Sequence, residues 1–251
     1  MIYFGIPSYQ RSEKQLTLDY LESVGVRPEQ IVISVQTEED YEKYAKYRDR
    51  VGQLIYRKAH NVSGNTNTIF DAVPKGEKIV ILDDDIQYLS VLRGGKLHPV
   101  KTAEEFDRIF AFGYSVAAKL RTIGFSVYPV HNEYFMSNSV HTIHIGEGTL
   151  LAFHNVGIRF DEFIDTKSDF ETTCRVIRRY GAYPRLNMVS CKAGHYTSGG
   201  CDWNWKDPDR VAGDAATLVA MYPDLVRANP KRPGEVLMQR VGKKVAIREE
   251  L

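Results

Sequence analysis

Residues 79–89 read IVILDDDIQYL, so four apolar side chains run straight into Asp83, Asp84 and Asp85. Three carboxylates this close repel one another unless a cation or protonation relieves the charge. Side chains alternate along an extended segment, which sends Asp83 and Asp85 to one side and Asp84 to the other. Such a pair suits a hard divalent ion, Mg²⁺ or Mn²⁺, which takes oxygen ligands and is readily shared with a diphosphate. Aspartates also cap helices, and a helix over the following IQYLSVL would need one of them. A cap leaves two unexplained, so metal binding by Asp83 and Asp85 is the expectation. A second acidic pair, Asp169 and Glu171, opens the segment KSDFETTCRVIRRYG. His141 and His144 are three apart, but no third ligand follows at a matching spacing, and they carry no expectation.

The elements that must hold these residues alternate in type. MIYFGI is a short apolar run closed by Pro7-Ser8, and Leu16, Tyr20, Leu21 and Val24 then recur at helical spacing before Gly25. QIVISVQ is a β-branched strand. TEEDYEKYAKYRDRVG opens with a threonine cap and an acidic first turn, which predicts a helix. GQLIYRK, a helix entered through GNTNTIFDAVP, and KIVILDDD complete the first half. This strand–helix rhythm predicts a doubly wound α/β sheet, mostly parallel and flanked by helices. Beyond it, TAEEFDRIFAFGYSVAAKLRTIG is a long helix with a capping box from Thr102 to Glu105. EGTLLAFHN and IRFDEFI read as strand and edge segments, and KSDFETTCRVIRRYG as a helix closed by Gly181. A glycine-rich loop, a short helix near 212–222 and a strand at KKVAI follow. With no repeat or clear linker, one domain over 1–251 is expected.

Composition excludes several classes. The 251 residues are 43% hydrophobic and 26% charged, ordinary for a globular protein. No apolar run approaches the roughly 20 residues of a membrane span. The start lacks a basic segment before its apolar run, and three cysteines are an odd number without a C-x-x-C pair. A reducing, cytoplasmic compartment with no membrane partner is the expectation. Charge is uneven: residues 175–251 hold 14 basic and 8 acidic residues, a net of +6, against −5 for the rest (19 basic, 24 acidic). A basic final third suits a polyanion or simply a phosphorylated substrate.

A strand ending in D-x-D after three βα units resembles the GT-A glycosyltransferases, Rossmann-like enzymes that use nucleotide-sugar donors. The resemblance implies a nucleotide-binding half over 1–90 and an acceptor-side half over 91–251. It assigns the loop GIPSYQRS to the nucleotide: Pro7 and Ser8 for the turn, Tyr9 to stack on the base, Arg11 to reach a phosphate. The entry NVSGNTNTIFDA matches the family's asparagine- and glycine-rich helix start near the donor. There Asn65 is a donor contact, with capping of the helix by Asn65 or Asn67 as the plain alternative. Asp84 joins the donor contacts. In the family's downstream pattern Asp169 falls on the catalytic carboxylate, Glu171 on the second acid, Arg175 on the arginine and Gly181 on the closing glycine. Ser168 stands where a glutamate is usual. The late CKAGHYTSGG resembles a segment whose histidine completes the metal shell, so His195 is implied as a third ligand. Gly199 and Gly200 are implied to let backbone N–H groups approach phosphate.

The chemistry this implies needs a base for the acceptor hydroxyl, Asp169, and a cation against the leaving diphosphate. A UDP-sugar is the favoured donor. At a finer level PSYQRS, DDDI and the late H-x-x-S-G-G are similar to a bacteriophage-centred group, the TET-associated glycosyltransferases of DNA bases. That implies a 5-hydroxymethylpyrimidine acceptor such as 5-hydroxymethylcytosine. Arg178, Arg179, Arg185 and Lys192 would then hold the phosphate backbone, and Trp203 and Trp205 would stack on a base. A saccharide, lipid or protein acceptor keeps every donor-side residue, and a non-catalytic DNA-binding module leaves Asp83, Asp85 and Asp169 free to change. A sugar nucleotidyltransferase would want a lysine-bearing glycine loop after the first strand, and GIPSYQRS is not one.

Overall fold

The computed structural model describes residues 1–194, 207–240, 242–246 and 251. His195, Gly199, Gly200, Trp203 and Trp205 lie outside the described residues. The strands are β1 (Ile2–Ser8), β2 (Ile31–Val35), β3 (Gln53–Tyr56), β4 (Lys78–Leu82), β5 (Ile86–Arg93), β6 (Lys96–Pro99), β7 (Gly124–Tyr128), β8 (Ser139–His141), β9 (Leu150–His154), β10 (Arg185–Ala193), β11 (Val226–Ala228), β12 (Val236–Met238) and β13 (Lys244–Ala246). The helices are α1 (Leu16–Ser23), α2 (Glu38–Tyr44), α3 (Val62–Ala72), α4 (Ala103–Lys119), α5 (Ser168–Tyr180) and α6 (Pro208–Met221).

An 11-stranded sheet runs β13-β8-β10-β7-β9-β4-β1-β2-β3, with the β5–β6 hairpin attached through β10. The β3-β2-β1-β4 stretch is wholly parallel, as the strand–helix rhythm predicts. Antiparallel β9 on β4 begins the mixed half. Chain order leaves β1 toward β2 on one side and reaches β4 on the other. That reversal opens a crevice at the carboxyl ends of β1 and β4, where open α/β sheets bind ligands.

Alternation along the strands builds two cores, one on each face. Phe4, Ile6, Val80 and Leu82 pack with Leu18 and Leu21 of α1 and Phe106 and Phe110 of α4. Ile79, Ile81 and Phe153 pack with Phe70 of α3, Ile177 of α5 and Leu218 of α6. Leu82 thus belongs to the α1 face and Ile81 to the α5 face, which decides where the following aspartates lean. Strands β7 and β9 approach closely at Gly124, where a Cβ would lie 1.9 Å from the Ala152 carbonyl oxygen.

Three local readings are corrected. IQYLSVL is strand β5, so no helix is capped by the aspartates. It turns through Gly94 (φ +56°) and Gly95 (φ +78°), a left-handed pair that suits a tight hairpin. IRFDEFI forms no strand, because Asn67 of α3 takes its backbone, accepting from Phe160 N–H (2.7 Å) and donating to Phe160 C=O (3.0 Å). The helix expected near 212 starts at Pro208 behind Asp207, whose carboxylate accepts from the Asp209 and Arg210 amides.

Gly124→Ala should cost at or above the roughly 1–3 kcal/mol typical of overpacking, because the clash is with backbone. Urea unfolding of the variant, compared with wild type, measures it.

Candidate functional site

β4 ends at Leu82, and Asp83–Asp85 form a turn into β5. Thr17 at the start of α1 fastens this turn. Its hydroxyl donates to Asp83 C=O (2.5 Å) and accepts from Ile86 N–H (2.9 Å), while Gly194 N–H donates to Asp85 C=O (2.9 Å). The turn breaks the extended alternation that would set Asp84 apart from Asp83 and Asp85. Asp84 and Asp85 both meet Arg11, the first in a close ion pair and the second at 3.3 Å. Asp83 is acted on by the charges of Asp85, Asp84 and Asp169, in that order. Among the described residues its carboxylate has no hydrogen-bond or ion-pair partner.

The β1–α1 loop is set by a buried polar network. The Ser8 hydroxyl donates to Asp84 and bonds Tyr44 Oη (2.6 Å), and Gln15 Nε2 donates to both Ser8 Oγ (3.1 Å) and Tyr44 Oη (3.0 Å). Gln15 also donates to Arg11 C=O (3.0 Å), and Asp40 accepts from the Gln10 amide (3.1 Å). These bonds hold Gln10 at φ +55°, a left-handed conformation that aims Arg11 at the aspartates.

Asp169 lies in the first turn of α5. Its carboxylate accepts from Phe170 N–H (2.8 Å) and from Gly148 N–H (2.8 Å), on the segment before β9. Enclosure by protein raises its pKa to about 7; Glu147 pushes the same way, and the two amides and Lys167 oppose it. Asp83 is likewise pushed up to about 7, by burial first and then by Asp85, Asp84 and Asp169. Asp84 is raised by burial, against the pull of Arg11. Burial alone would lower Arg11, but Asp84 outweighs it and the guanidinium is held above its usual value.

One cavity of about 650 Å³ gathers Pro7, Ser8, Tyr9, Arg11, Asn65, all three aspartates and Asp169. Asn65 reaches it only from behind. Its amide accepts from Ser34 Oγ (2.6 Å) and donates to the Ser8 (3.2 Å) and Ser34 (3.0 Å) carbonyls, so it ties β1 to β2. The cap of α3 is neither Asn65 nor Asn67 but Asn61, which accepts from Gly64 N–H. Glu171 is buried away from the cavity, bonded to Arg175 and to Tyr222 Oη (2.6 Å), and Gly181 closes α5 at φ +82°. Both support the helix rather than touch the cavity.

Arg178, Arg185 and Lys192 do not line the cavity. Arg178 pairs with Asp224 and stacks on Tyr222, and Arg185 lies over the Tyr128 ring at 4.6 Å with its charge disfavoured by burial. Lys192 is exposed on β10.

Sequence reading missed the far wall: Glu147, Lys167, Arg232 and Glu235. Lys167 has 1% of its side chain exposed and stands 3.8 Å from Glu235, which the β11–β12 loop carries to the cavity together with Arg232. No motif marks these residues, because three separate segments converge only in the fold.

Does the site fit a divalent cation? Its donors are oxygens, and Asp83 is a carboxylate without a partner among the described residues, within the field of Asp85, Asp84 and Asp169. Both observations fit a hard ion. No set of three or more His, Cys, Asp or Glu among the described residues is grouped to hold one. Phosphate oxygens or water would have to complete the shell around Asp83 and Asp85.

No protein-family model matches the chain, and no curated protein does. Solved structures of Staphylococcus aureus TarS, a GT-A-type glycosyltransferase, share the fold. The TarS 1–349 structure is 12% identical with a TM-score of 0.53, covering 87% of this chain and 65% of that one. The same fragment in complex with UDP gives 12%, 0.55, 87% and 64%, and a longer TarS structure 12%, 0.54, 87% and 39%. The chain therefore spans less than two thirds of these neighbours' length. At this identity the likeness establishes a mixed α/β fold of GT-A type.

Asp83→Asn tests the electrostatics. A carboxyl whose folded pKa stands near 7 against 3.8 unfolded holds its proton more tightly when folded. Its ionisation therefore costs stability as pH rises from about 4 to about 7. In EDTA, the variant should gain on wild type across that window and level off above it. The gain has a ceiling of about 4 kcal/mol at 1.36 kcal/mol per pKa unit. Urea midpoints at pH 5 and pH 8 read the difference.

Proposed function

We propose that this chain is a metal-dependent glycosyltransferase that moves a sugar from a nucleotide-sugar, a UDP-sugar by preference, to an acceptor hydroxyl. The observation that carries the reading is the cavity at the β1–β4 reversal, which joins Ser8, Arg11 and the aspartate turn to Asp169. The fold neighbour in complex with UDP supports the nucleotide donor.

In this reading Tyr9 and Pro7 flank the base of the nucleotide, and Arg11 neutralises diphosphate charge. Asp83 and Asp85 would hold Mn²⁺ or Mg²⁺, which supplies Lewis-acid stabilisation of the leaving diphosphate. Asp169 takes the proton from the acceptor hydroxyl as it attacks. A raised pKa makes a carboxylate a better proton acceptor, and the two amide bonds hold it in one orientation. A base on the acceptor side implies direct displacement with inversion at the sugar. His195 would complete the metal shell, and Gly199 and Gly200 would approach the phosphates.

For the acceptor, the sequence-level reading is a 5-hydroxymethylpyrimidine in DNA, supported by the +6 charge of residues 175–251. The pairing of Arg178 and the enclosure of Arg185 favour a second reading, a saccharide acceptor, because DNA affinity rests on free cations facing phosphate.

Nucleotide release and acceptor mass with Mn²⁺, UDP- and GDP-sugars, modified and unmodified DNA and saccharides test the proposal. Asp169→Asn should lower kcat by about 10²–10⁴, the usual contribution of a positioned base. Wild-type turnover should climb as pH passes through about 7, where Asp169 loses its proton, and be flat above. Turnover insensitive to Asp85→Asn, Asp169→Asn and EDTA would overturn it.

A further inference from the structure

Three large apolar side chains crowd one short turn after β7: Val130 is 47% exposed, Tyr134 84% and Phe135 57%. The turn that carries them is pinned. Asn132 Oδ1 accepts from Tyr134 N–H (3.0 Å), and Phe135 N–H donates to Asn132 C=O (3.2 Å). Buried Met136 anchors the exit, and Ser137 N–H donates to Asn187 C=O of β10 (3.2 Å). The Tyr134 and Phe135 rings stand edge to face, 5.0 Å apart. Aromatic rings held rigidly in water mark a contact surface.

Topology links this surface to the cavity. Strand β9 is antiparallel to both β4 and β7, so β4 and β7 run the same way and the 129–136 turn leaves the sheet on the cavity's edge. Two strand spacings, about 10 Å, separate β4 from β7. Further rings connect the two. His131, in the same turn, bonds Ser90 Oγ of β5 through Nε2 (3.0 Å) and meets the Tyr88 ring edge to face at 5.8 Å. Tyr88 follows the aspartate turn by three residues and lies opposite Lys192 of β10. Charge here is balanced: burial and then Lys192 lower the pKa of His131 and favour its neutral form, while Glu133 opposes them. Rings without net charge suit the C–H faces of sugars, whereas a nucleic-acid strand would want a positively charged groove beside them. We propose that Tyr88, His131, Tyr134 and Phe135 form a track for an acceptor of several linked, uncharged sugar rings, its reacting end in the cavity. This step rests on the glycosyltransferase reading and selects its saccharide acceptor over DNA.

Native gels cast with dextran, galactomannan or hydroxyethylcellulose test this on wild type and on the double variant Tyr134→Ser, Phe135→Ser. At least one polysaccharide should retard wild type. The double variant should weaken that affinity roughly 10-fold or more, as loss of aromatic anchors does. Both side chains are exposed, so the variant should fold, and urea unfolding checks that it does. His131→Ala should weaken retardation too, and it keeps the test open if the double variant does not fold. Anisotropy of a labelled single-stranded oligonucleotide and sedimentation velocity probe the other occupants. No retardation by any polymer, retardation that the variants leave unchanged, or a loss confined to oligonucleotide binding or self-association would overturn the inference. Calorimetry with UDP separates the two levels of argument. UDP binding without polysaccharide binding sinks only the aromatic track, whereas no UDP binding sinks the glycosyltransferase reading beneath it.

Discussion

Asp83, Asp84, Asp85 and Asp169 crowd the carboxyl ends of two adjacent strands, with Arg11 as the cation nearest the turn. Like charges gathered in a partly dry crevice are expensive, and the surrounding structure is organised around that cost. Arg11 offsets Asp84 and Asp85, Thr17 holds the turn in place through its backbone, and Ser8 completes the shell of Asp84. Asp83 and Asp169 both line the cavity with raised pKa values, a combination common at sites that handle protons or cations.

The fold makes this tolerable by placing the charges where two rigid layers meet. One core fixes α1 and the other fixes α5, so the loops between them inherit little freedom. The buried Ser8–Gln15–Tyr44 network and the Asn65 brace are satisfied largely within the protein, and such networks specify a single geometry. Glu171, Arg175 and Tyr222 act at one remove by fastening α5. Asp169 therefore owes its place to residues that never meet the cavity.

The cavity is also asymmetric. Its β1–β4 end carries Arg11 and the aspartates, while its far wall mixes Glu147 and Glu235 with Lys167 and Arg232. Balanced charge of this kind suits hydroxyl-rich groups better than a polyanion. The net positive charge of the final third is a sum over residues that the fold disperses: Arg178 goes to Asp224, Arg185 over the Tyr128 ring, and Arg232 to the cavity wall.

The sequence by itself determined the parallel half of the sheet, because period-2 and period-3.6 patterns are local, and it flagged the aspartate turn, since like charges after an apolar run demand an explanation. The family resemblance named Pro7, Ser8, Arg11 and Asp169, and the fold brings all four to one cavity. Tertiary structure decided what spacing cannot carry. Asp85 joins Asp84 at Arg11, because β4 ends at Leu82 and the turn that follows breaks the alternation. IQYLSVL became a strand through pairing with β10, a partner about 100 positions away in the chain. Lys167, Glu147, Arg232 and Glu235 converge from segments with no shared motif. Local chemistry is written along the chain, whereas a cavity is a property of what the folded chain fails to occupy.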